Sequence, residues 1–298
     1  MPVPYACPRD DTPLEGERCP RCGTTYPVTD GIARFIETLP EDVEQTQRVF
    51  HFEHARFENS TFVQFRPELV EEFLADNQLP REFFEGKSCL DAGCGSGRWS
   101  YALDQLGADL NAMDLTAAGV QAVRENVPGA AVAQANLFEA PFAPGSFDFV
   151  MSWGVLHHTP DTRRAFAAIA PLVKPGGTLY VMVYPPPPGI ERFGTDLLRW
   201  FMRRMDDERR FELCRRLIVR NRTLSTVLSY LVLHAYLDPD NPELDEATAQ
   251  FGLFDAYSPR YNFRHSKEEV AGWFWEEGFR DVTLIEGAPT RVRGIRSG

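Results

Sequence analysis

The sequence predicts an α/β fold in which a mostly parallel sheet carries helices on both faces. Three observations lead there. Between residues 86 and 184, short apolar runs (SCLDAG, ADLNAMDL, FDFVMSW and GTLYVMVY) alternate with amphipathic stretches such as RWSYALDQL and RRAFAAIAPLV. Strands alternating with helices build a parallel sheet covered on both sides. The first of these runs ends in a glycine-rich turn that opens a helix, and the pattern breaks at Pro185–Pro188, where four prolines can continue neither a central strand nor a helix.

Taken in order, residues 1–38 are rich in Pro and Cys, with turn signals at Gly16, Gly23 and Asp30-Gly31. So short a piece needs a staple, because it cannot bury a core of its own. Residues 39–85 read as a helical lead-in, with Phe50, Phe52 and Phe57, then Leu69, Val70, Phe73 and Leu74, at roughly helical spacing. Residues 190 to about 250 are mostly helical in pattern. YNFRH, SKEEVAGWFWEEGF and DVTLIEG then read as strand or loop, helix and strand. The expected organisation is a ribbon-like segment over 1–38 and a main domain over 39–298, interrupted by a helical cap insertion at about 185–258.

Composition narrows the classes. A chain of 298 residues, 43% hydrophobic and 25% charged, is an ordinary globular one and not collagen-like, disordered or disulfide-scaffolded. The net charge of −12 disfavours a nucleic-acid partner, since phosphate backbones call for the opposite sign. No apolar run is long enough for a transmembrane segment; LSTVLSYLVLHAYL is too short and too polar. The opening MPVPYACPRDD has no basic and apolar leader, so a cytoplasmic location is expected.

The most informative stretch is Cys89-Leu-Asp-Ala-Gly-Cys-Gly-Ser-Gly-Arg98. Gly93, Gly95 and Gly97 would let the backbone turn tightly and let a ligand approach it without a Cβ in the way. The nicotinamide fingerprint wants Gly or Ala where Arg98 stands, and the phosphate-binding Lys-Ser/Thr pair is missing. Asp114, at the end of the next strand, can accept hydrogen bonds from both hydroxyls of a ribose.

DAGCGSG, AMDLT, ANLFEAPFAPGSFDFVMSWGVLHHTPD and LVKPGGTLYVMVY together resemble the class I S-adenosylmethionine-dependent methyltransferases, closest to the ubiquinone/menaquinone-biosynthesis type. The resemblance implies a Rossmann-like seven-stranded sheet and S-adenosylmethionine as cofactor. By it, Asp91, Gly93, Cys94, Gly95 and Gly97 border the methionine and ribose, Asp114 holds the ribose, and Leu115 lies beside the adenine. Asn136 stands where the family usually has Asp against the adenine amino group. Leu137 adds backbone polarity beside the ring, and Ser152 and Trp153 line the methionine side.

His157 and His158 follow the fourth strand, at the carboxyl edge where open α/β sheets bind ligands. Imidazole suits a general base, and His157 is the better candidate; the plainer reading has both orient the loop and cap the helix near Pro160. In the similar quinone O-methyltransferases this stretch reads Glu-His and helps hold a divalent metal. Tyr257, Arg260, Tyr261, Arg264 and His265 form a second polar-aromatic cluster, suited to an anionic or phenolic acceptor, or else a solvated junction. In the insertion, residues 191–222 hold ten Arg and six Asp or Glu, with Phe193, Leu197, Leu198, Phe201 and Met205 on one helical face. A substrate lid, a homodimer surface and a membrane-leaning helix all fit this; a packed cap with a solvated charged face is preferred.

Cys19-Pro-Arg-Cys22 is one arm of a zinc knuckle, and the other arm reads Cys7-Pro-Arg-Asp10. CPRDDTPLEGERCPRCGTTYPVTDGIARF is similar to the small zinc-ribbon activators of tRNA and protein methyltransferases and to the ribbon preceding some ribosomal-RNA guanine methyltransferases. The resemblance implies structural zinc on Cys7, Asp10, Cys19 and Cys22, with His51 or His54 as a substitute fourth ligand; a ribbon that has lost its metal is the alternative. The expected activity is methylation of a small-molecule metabolite, O-methylation first and C- or N-methylation next. An RNA methyltransferase and a non-catalytic cofactor-binding scaffold are the rivals.

Overall fold

The computed structural model describes residues 1–36, 38–56, 65–186, 191–238 and 245–298. Phe57 of the lead-in pattern, and Pro187 and Pro188 of the proline run, lie outside them. Two short strands come first, β1 (Val28–Thr29) and β2 (Ile32–Arg34), followed by helices α1 (Glu41–Arg56) and α2 (Glu68–Asn77). The alternating region then runs β3 (Ser88–Ala92), α3 (Arg98–Gln105), β4 (Asp109–Asp114), α4 (Ala117–Asn126), β5 (Ala131–Gln134), β6 (Phe147–Trp153), α5 (Thr162–Ile169) and β7 (Val173–Val183).

The cap comprises α6 (Glu191–Met202), α7 (Asp207–Arg216), β8 (Ile218–Val219), α8 (Arg222–Leu228), β9 (Ala235–Tyr236) and α9 (Glu246–Tyr257). Helix α10 (Lys267–Glu276) leads back to the sheet, and β10 (Phe279–Ile285) and β11 (Thr290–Arg296) finish it.

The main sheet has nine strands among the described residues, in the order β1-β2-β5-β4-β3-β6-β7-β11-β10. The seven from β5 to β10 are the expected sheet. The other two come from the N-terminal segment, where β2 pairs in parallel with β5 through Ile32–Val132, Ala33–Ala133 and Arg34–Gln134. Sequence patterning missed this addition because two- and three-residue strands are too short to show a period. Strands β2 through β7 run parallel, while β11 is antiparallel to both β7 and β10.

Helix starts follow local chemistry. Asp161, Asp206, Asp245 and Ser266 each accept a hydrogen bond from a backbone N–H three residues on, at the heads of α5, α7, α9 and α10. Leu90, Val150 and Leu179 bury one sheet face with Phe166 and Phe274. Cys89, Phe149 and Tyr180 bury the other, with Phe73, Phe84 and Trp99. A third cluster joins Val49 of α1 to Met202, Cys214, Phe254 and Tyr257 of the cap. The lead-in helix is thereby part of the roof over the carboxyl edge of the sheet.

Candidate functional site

Strand β3 enters the glycine turn and α3 leaves it. Gly93 (φ +89°), Gly95 (φ +50°) and Gly97 (φ +94°) all take left-handed conformations that cost an L-residue about 1 kcal/mol or more. Space reinforces this: a Cβ on Gly93 would stand 2.5 Å from Val155 Cγ2, and one on Gly97 2.8 Å from Val123 Cγ2. Gly93 and Cys94 both donate their backbone N–H to Met113 O at the end of β4, at 2.8 and 3.0 Å. Gly95 N donates to Asp114 Oδ2 at 3.0 Å, while Asp114 Oδ1 accepts from Thr116 N and Thr116 Oγ1 at 2.8 and 2.7 Å. One carboxylate ties the turn to the head of α4.

A cavity of about 380 Å³ opens from this turn. Asp91, Gly93, Cys94, Gly95, Asp114 and Leu115 line its floor, and Asn136, Leu137 and Phe138 close one end. Asp91 is buried, receives Ser100 Oγ–H at 2.7 Å, and is pushed up to about 7 by burial. Burial likewise keeps the Cys94 thiol protonated. Asn136 Oδ1 accepts from Phe138 N at 3.2 Å, so the oxygen expected to meet an adenine already holds the local turn. Trp153 lines the cavity with its indole N–H donated to Asp76 Oδ2 at 2.8 Å.

Helices α1 and α9 roof the cavity, and α1 reaches the glycine-turn end as well, where Gln47 Nε2 donates to Leu115 O at 2.8 Å. Thr248, Phe251, Gly252 and Asp255 recur at helical spacing on α9, and Val43, Gln47, Phe50 and His54 on α1, so each helix turns one face to the cavity. His158 Nδ1 lies 2.9 Å from Tyr261 O, which accepts the imidazole N–H, and His158 Nε2 lies 3.4 Å from Asp255 Oδ1. Tyr184 donates its hydroxyl to Asp255 Oδ2. Burial lowers the His158 pKa, although Asp255 pulls it up.

Glu53 is 2% exposed and its Oε2 has no hydrogen-bond partner among the described residues. Burial, with Asp255 nearby, raises its pKa well above the carboxylate range. Ionising a carboxyl there would cost several kcal/mol, so Glu53 is held protonated.

The structure therefore gathers nine of the eleven cofactor candidates and one of the two histidines around the cavity. Gly97 and Ser152 sit behind it, where Ser152 Oγ donates to Ala92 O at 2.8 Å. His157 is fully buried and does not line it; its ring packs 4.0 Å from that of His158 and 4.2 Å from that of Tyr184. Burial drives its pKa far down and keeps it neutral.

The second cluster disperses. Tyr257 is buried in the cap with its hydroxyl on Leu233 O, and His265 meets Glu269 at 2.9 Å. Arg264 lies over the Tyr184 ring and Arg260 over that of Tyr261. Neither these residues nor Tyr261 line the cavity; Tyr261 reaches it only through the carbonyl that positions His158. Glu53, His54, Tyr184 and Asp255 are the site residues that sequence reasoning missed. Glu53 and His54 sit on α1 and Asp255 on α9, whose helical pattern shows in the sequence without showing which face is buried, and Tyr184, just past β7, carries no local signal.

At the far edge of the sheet, Cys7, Asp10, Cys19 and Cys22 present ligand atoms within 4.8 Å of one another. Cys7 Sγ and Cys22 Sγ are 3.6 Å apart, and Cys19 Sγ is 3.7 Å from Asp10 Oδ1. Ligands about 2.3 Å from a tetrahedral ion stand about 3.7 Å apart, so the set fits zinc. His54 belongs to the cavity instead, where its Nδ1 lies 3.0 Å from Ser96 Oγ.

Residues 90–181 match the family model described as a methyltransferase domain. A ubiquinone biosynthesis O-methyltransferase of Xanthomonas campestris is 39% identical over 111 residues, 36% of this chain and 46% of its own. An uncharacterised protein of a Synechococcus species is 37% identical over 103 residues, 32% of this chain and 25% of its own. The chain thus spans less than half the length of these curated relatives. In fold, an O-methyltransferase family protein from Burkholderia thailandensis aligns with a TM-score of 0.53 at 16% identity, over 85% of this chain and 63% of that one. The fold is thus an α/β one shared with a solved methyltransferase structure, and the segment 90–181 matches the methyltransferase-domain family.

Proposed function

We propose that this protein transfers a methyl group from S-adenosylmethionine to a small, neutral, hydroxyl-bearing molecule. The observation that carries the reading is one cavity joining the glycine turn to a buried acid–base cluster. Bound there, the cofactor would supply an electrophilic sulfonium methyl. Asp114 and the backbone of Gly93 and Gly95 would hold its ribose and methionine, and Leu115, Asn136 and Leu137 its base. The lining supports a cationic cofactor: Asp91, Asp114 and Asp255 are acidic, and the one guanidinium among the described lining residues, Arg98, is paired with Glu72 at 2.6 Å.

The same charge balance favours a neutral acceptor over an anionic one, because Arg260 and Arg264 stand outside the cavity. His158 would act as general base. Its Nδ1–H is committed to Tyr261 O, and the lone pair that would take an acceptor proton is on Nε2, buried 3.4 Å from Asp255 Oδ1. Once protonated, Nε2 would face Asp255, itself held by Tyr184, so the carboxylate stabilises the imidazolium that forms. Phe50, Phe138 and Phe251 give the chamber aromatic walls and help exclude water. A non-catalytic scaffold would have no use for Glu53, His158 and Asp255 at this end.

Cys7, Asp10, Cys19 and Cys22 would hold a structural zinc, closed to substrate because all four positions are filled by the chain. Calorimetric titration with S-adenosylmethionine and S-adenosylhomocysteine tests the central claim, with NAD as control. Micromolar binding of the first two alone is expected. Absence of binding, or equal binding of NAD, would remove the assignment.

A further inference from the structure

Among the described residues, eight of the twelve exposed large apolar side chains lie on α6, on α8 and in residues 229–232. Phe193, Leu197, Trp200 and Phe201 form a row at helical spacing, with Phe193 76% and Trp200 58% exposed. The opposite side of the same helix buries Thr195 and Met202 in the cap. The sequence predicted an apolar stripe of Phe193, Leu197, Leu198, Phe201 and Met205 here and preferred it packed; the structure packs Leu198 against the cap but turns Phe193, Leu197 and Phe201 outward.

Val227 and Tyr230 belong to the second row. The two rows adjoin, since Leu233 N donates to Thr195 Oγ1 at 2.8 Å and a side chain on Gly194 would collide with Leu231 O.

The charge around this face is unlike that of the molecule. From Phe193 to Met205 and from Leu217 to Leu237 there are five arginines and a single carboxylate, Asp196, in a chain of net charge −12. Arg199 and Arg220 are engaged, on Ala256 O and on Glu246. Arg203 and Arg222 are exposed with no carboxylate partner among the described residues, and Arg204 covers the Trp200 ring at 3.5 Å.

We propose that this face docks on an anionic lipid bilayer, with α6 and α8 lying in the headgroup plane. Aromatic side chains flanked by arginine suit that interface, where one end of a group is apolar and the other wet. An isologous contact with a second copy would set this basic face against itself, whereas anionic headgroups neutralise it. The rest of the acidic surface would be repelled, which fixes the orientation. No helix among the described residues is long and apolar enough to cross a membrane, so the contact is peripheral. Helix α6 bonds to α9 through Arg199 and the Ala256 carbonyl, and α9 lines the cavity, so docking brings the acceptor end near the lipid. The inference stands whether or not the methyltransferase reading holds.

The test is co-sedimentation of the full chain with phosphatidylcholine vesicles containing or lacking about 30 mol% phosphatidylglycerol. Binding to the anionic vesicles is expected, falling steeply between about 0.05 and 0.5 M salt. Phe193→Ser, Trp200→Ser and Phe201→Ser combined should cut it by tenfold or more, on the order of 0.8 kcal/mol being lost per buried methylene. Arg203→Ser with Arg204→Ser should cost roughly 30-fold, at about fivefold per arginine, and only on anionic vesicles. These side chains are exposed, so circular dichroism should match the parent. The proposal is overturned if the chain stays in the supernatant with both vesicles, or if binding survives both sets of substitutions. It is equally overturned if light scattering finds a dimer that the apolar substitutions dissociate while no vesicle binds, which would make the face a seat for a second copy.

Discussion

Asp114 spends both its carboxylate oxygens on the chain itself, one on Gly95 N and one on Thr116. It therefore shapes the turn as well as offering charge to a ribose, and the two roles separate by substitution. Asp114→Asn keeps one acceptor oxygen and should lose roughly 10- to 100-fold in cofactor affinity with a small change in stability. Asp114→Ala should lose that affinity and also about 1–3 kcal/mol of stability, because Gly95 and Thr116 lose their partner. Calorimetry and thermal melts on the two variants measure this; an unchanged affinity in both would remove Asp114 from the site.

His158 carries a sharper expectation. Burial lowers its pKa and Asp255 partly restores it, so imidazole NMR should find it titrating below the ordinary value near 6.5. Asp255→Asn should push it lower still, and a rise in that variant would break the pairing. The glycines and Asp114 were legible in the sequence because backbone strain and strand-end position leave a local signature. Asp255 was not, since nothing local tells a buried acid on a helix from a solvated one. The choice of His157 over His158 was beyond reach for the same reason: the two differ only in which ring turns to the cavity.

Helices α1 and α9 roof the cavity, and both were visible as helices before their faces were. Glu53 explains part of why α1 sits where it does. It is buried beside Asp255, with the Tyr184 hydroxyl and the Cys214 thiol also within electrostatic reach, and its pKa is raised. A folded pKa above the unfolded value near 4.3 means the folded state binds the proton more tightly. The resulting stability is fully present below that unfolded value and is lost as pH rises through the folded one. Asp91, at about 7, acts with the same sign, and buried His157 with the opposite one, destabilising the fold as pH falls below about 6.5.

Melting temperature should therefore decline on both sides, and Glu53→Gln should flatten the alkaline limb alone. An alkaline limb unaltered in Glu53→Gln would mean that α1 docks by apolar packing and Glu53 contributes nothing. The strands tell a related story about legibility. Strands β3, β4, β6 and β7 announced themselves by short, mostly apolar runs, whereas β2, β5 and β11 are short or polar enough to be recognised only by their partners.

At the scale of the whole molecule, the ribbon segment is stitched to the sheet it was expected to stand beside. Val3 N donates to Asn111 Oδ1 and Asn111 Nδ2 to Val3 O, at 2.8 and 3.0 Å, in the buried middle of β4. Ala6 N donates to Pro141 O at 2.8 Å, and β2 extends the sheet beyond β5. Cys7, Cys19, Tyr26 and Phe35 share one continuous core with Leu90 and Val150. A zinc ion on Cys7, Asp10, Cys19 and Cys22 would thus brace an edge of the main sheet, because a structural site rarely survives in the unfolded chain and its binding energy becomes folding energy. Thermal unfolding with bound metal should show one transition. Chelation, or Cys19→Ser, should lower that single transition by several degrees, since roughly 1 kcal/mol moves the midpoint of a domain this size by about 2–4 °C. Two resolved transitions, with only the smaller one sensitive to chelator, would mean that the ribbon folds apart from the sheet and that its shared core contributes little. Cofactor affinity separates the cases further: β2 lies next to β5, whose end leads into Asn136 and Leu137, so loss of the metal in a single cooperative unit should weaken cofactor binding at the far end of the cavity.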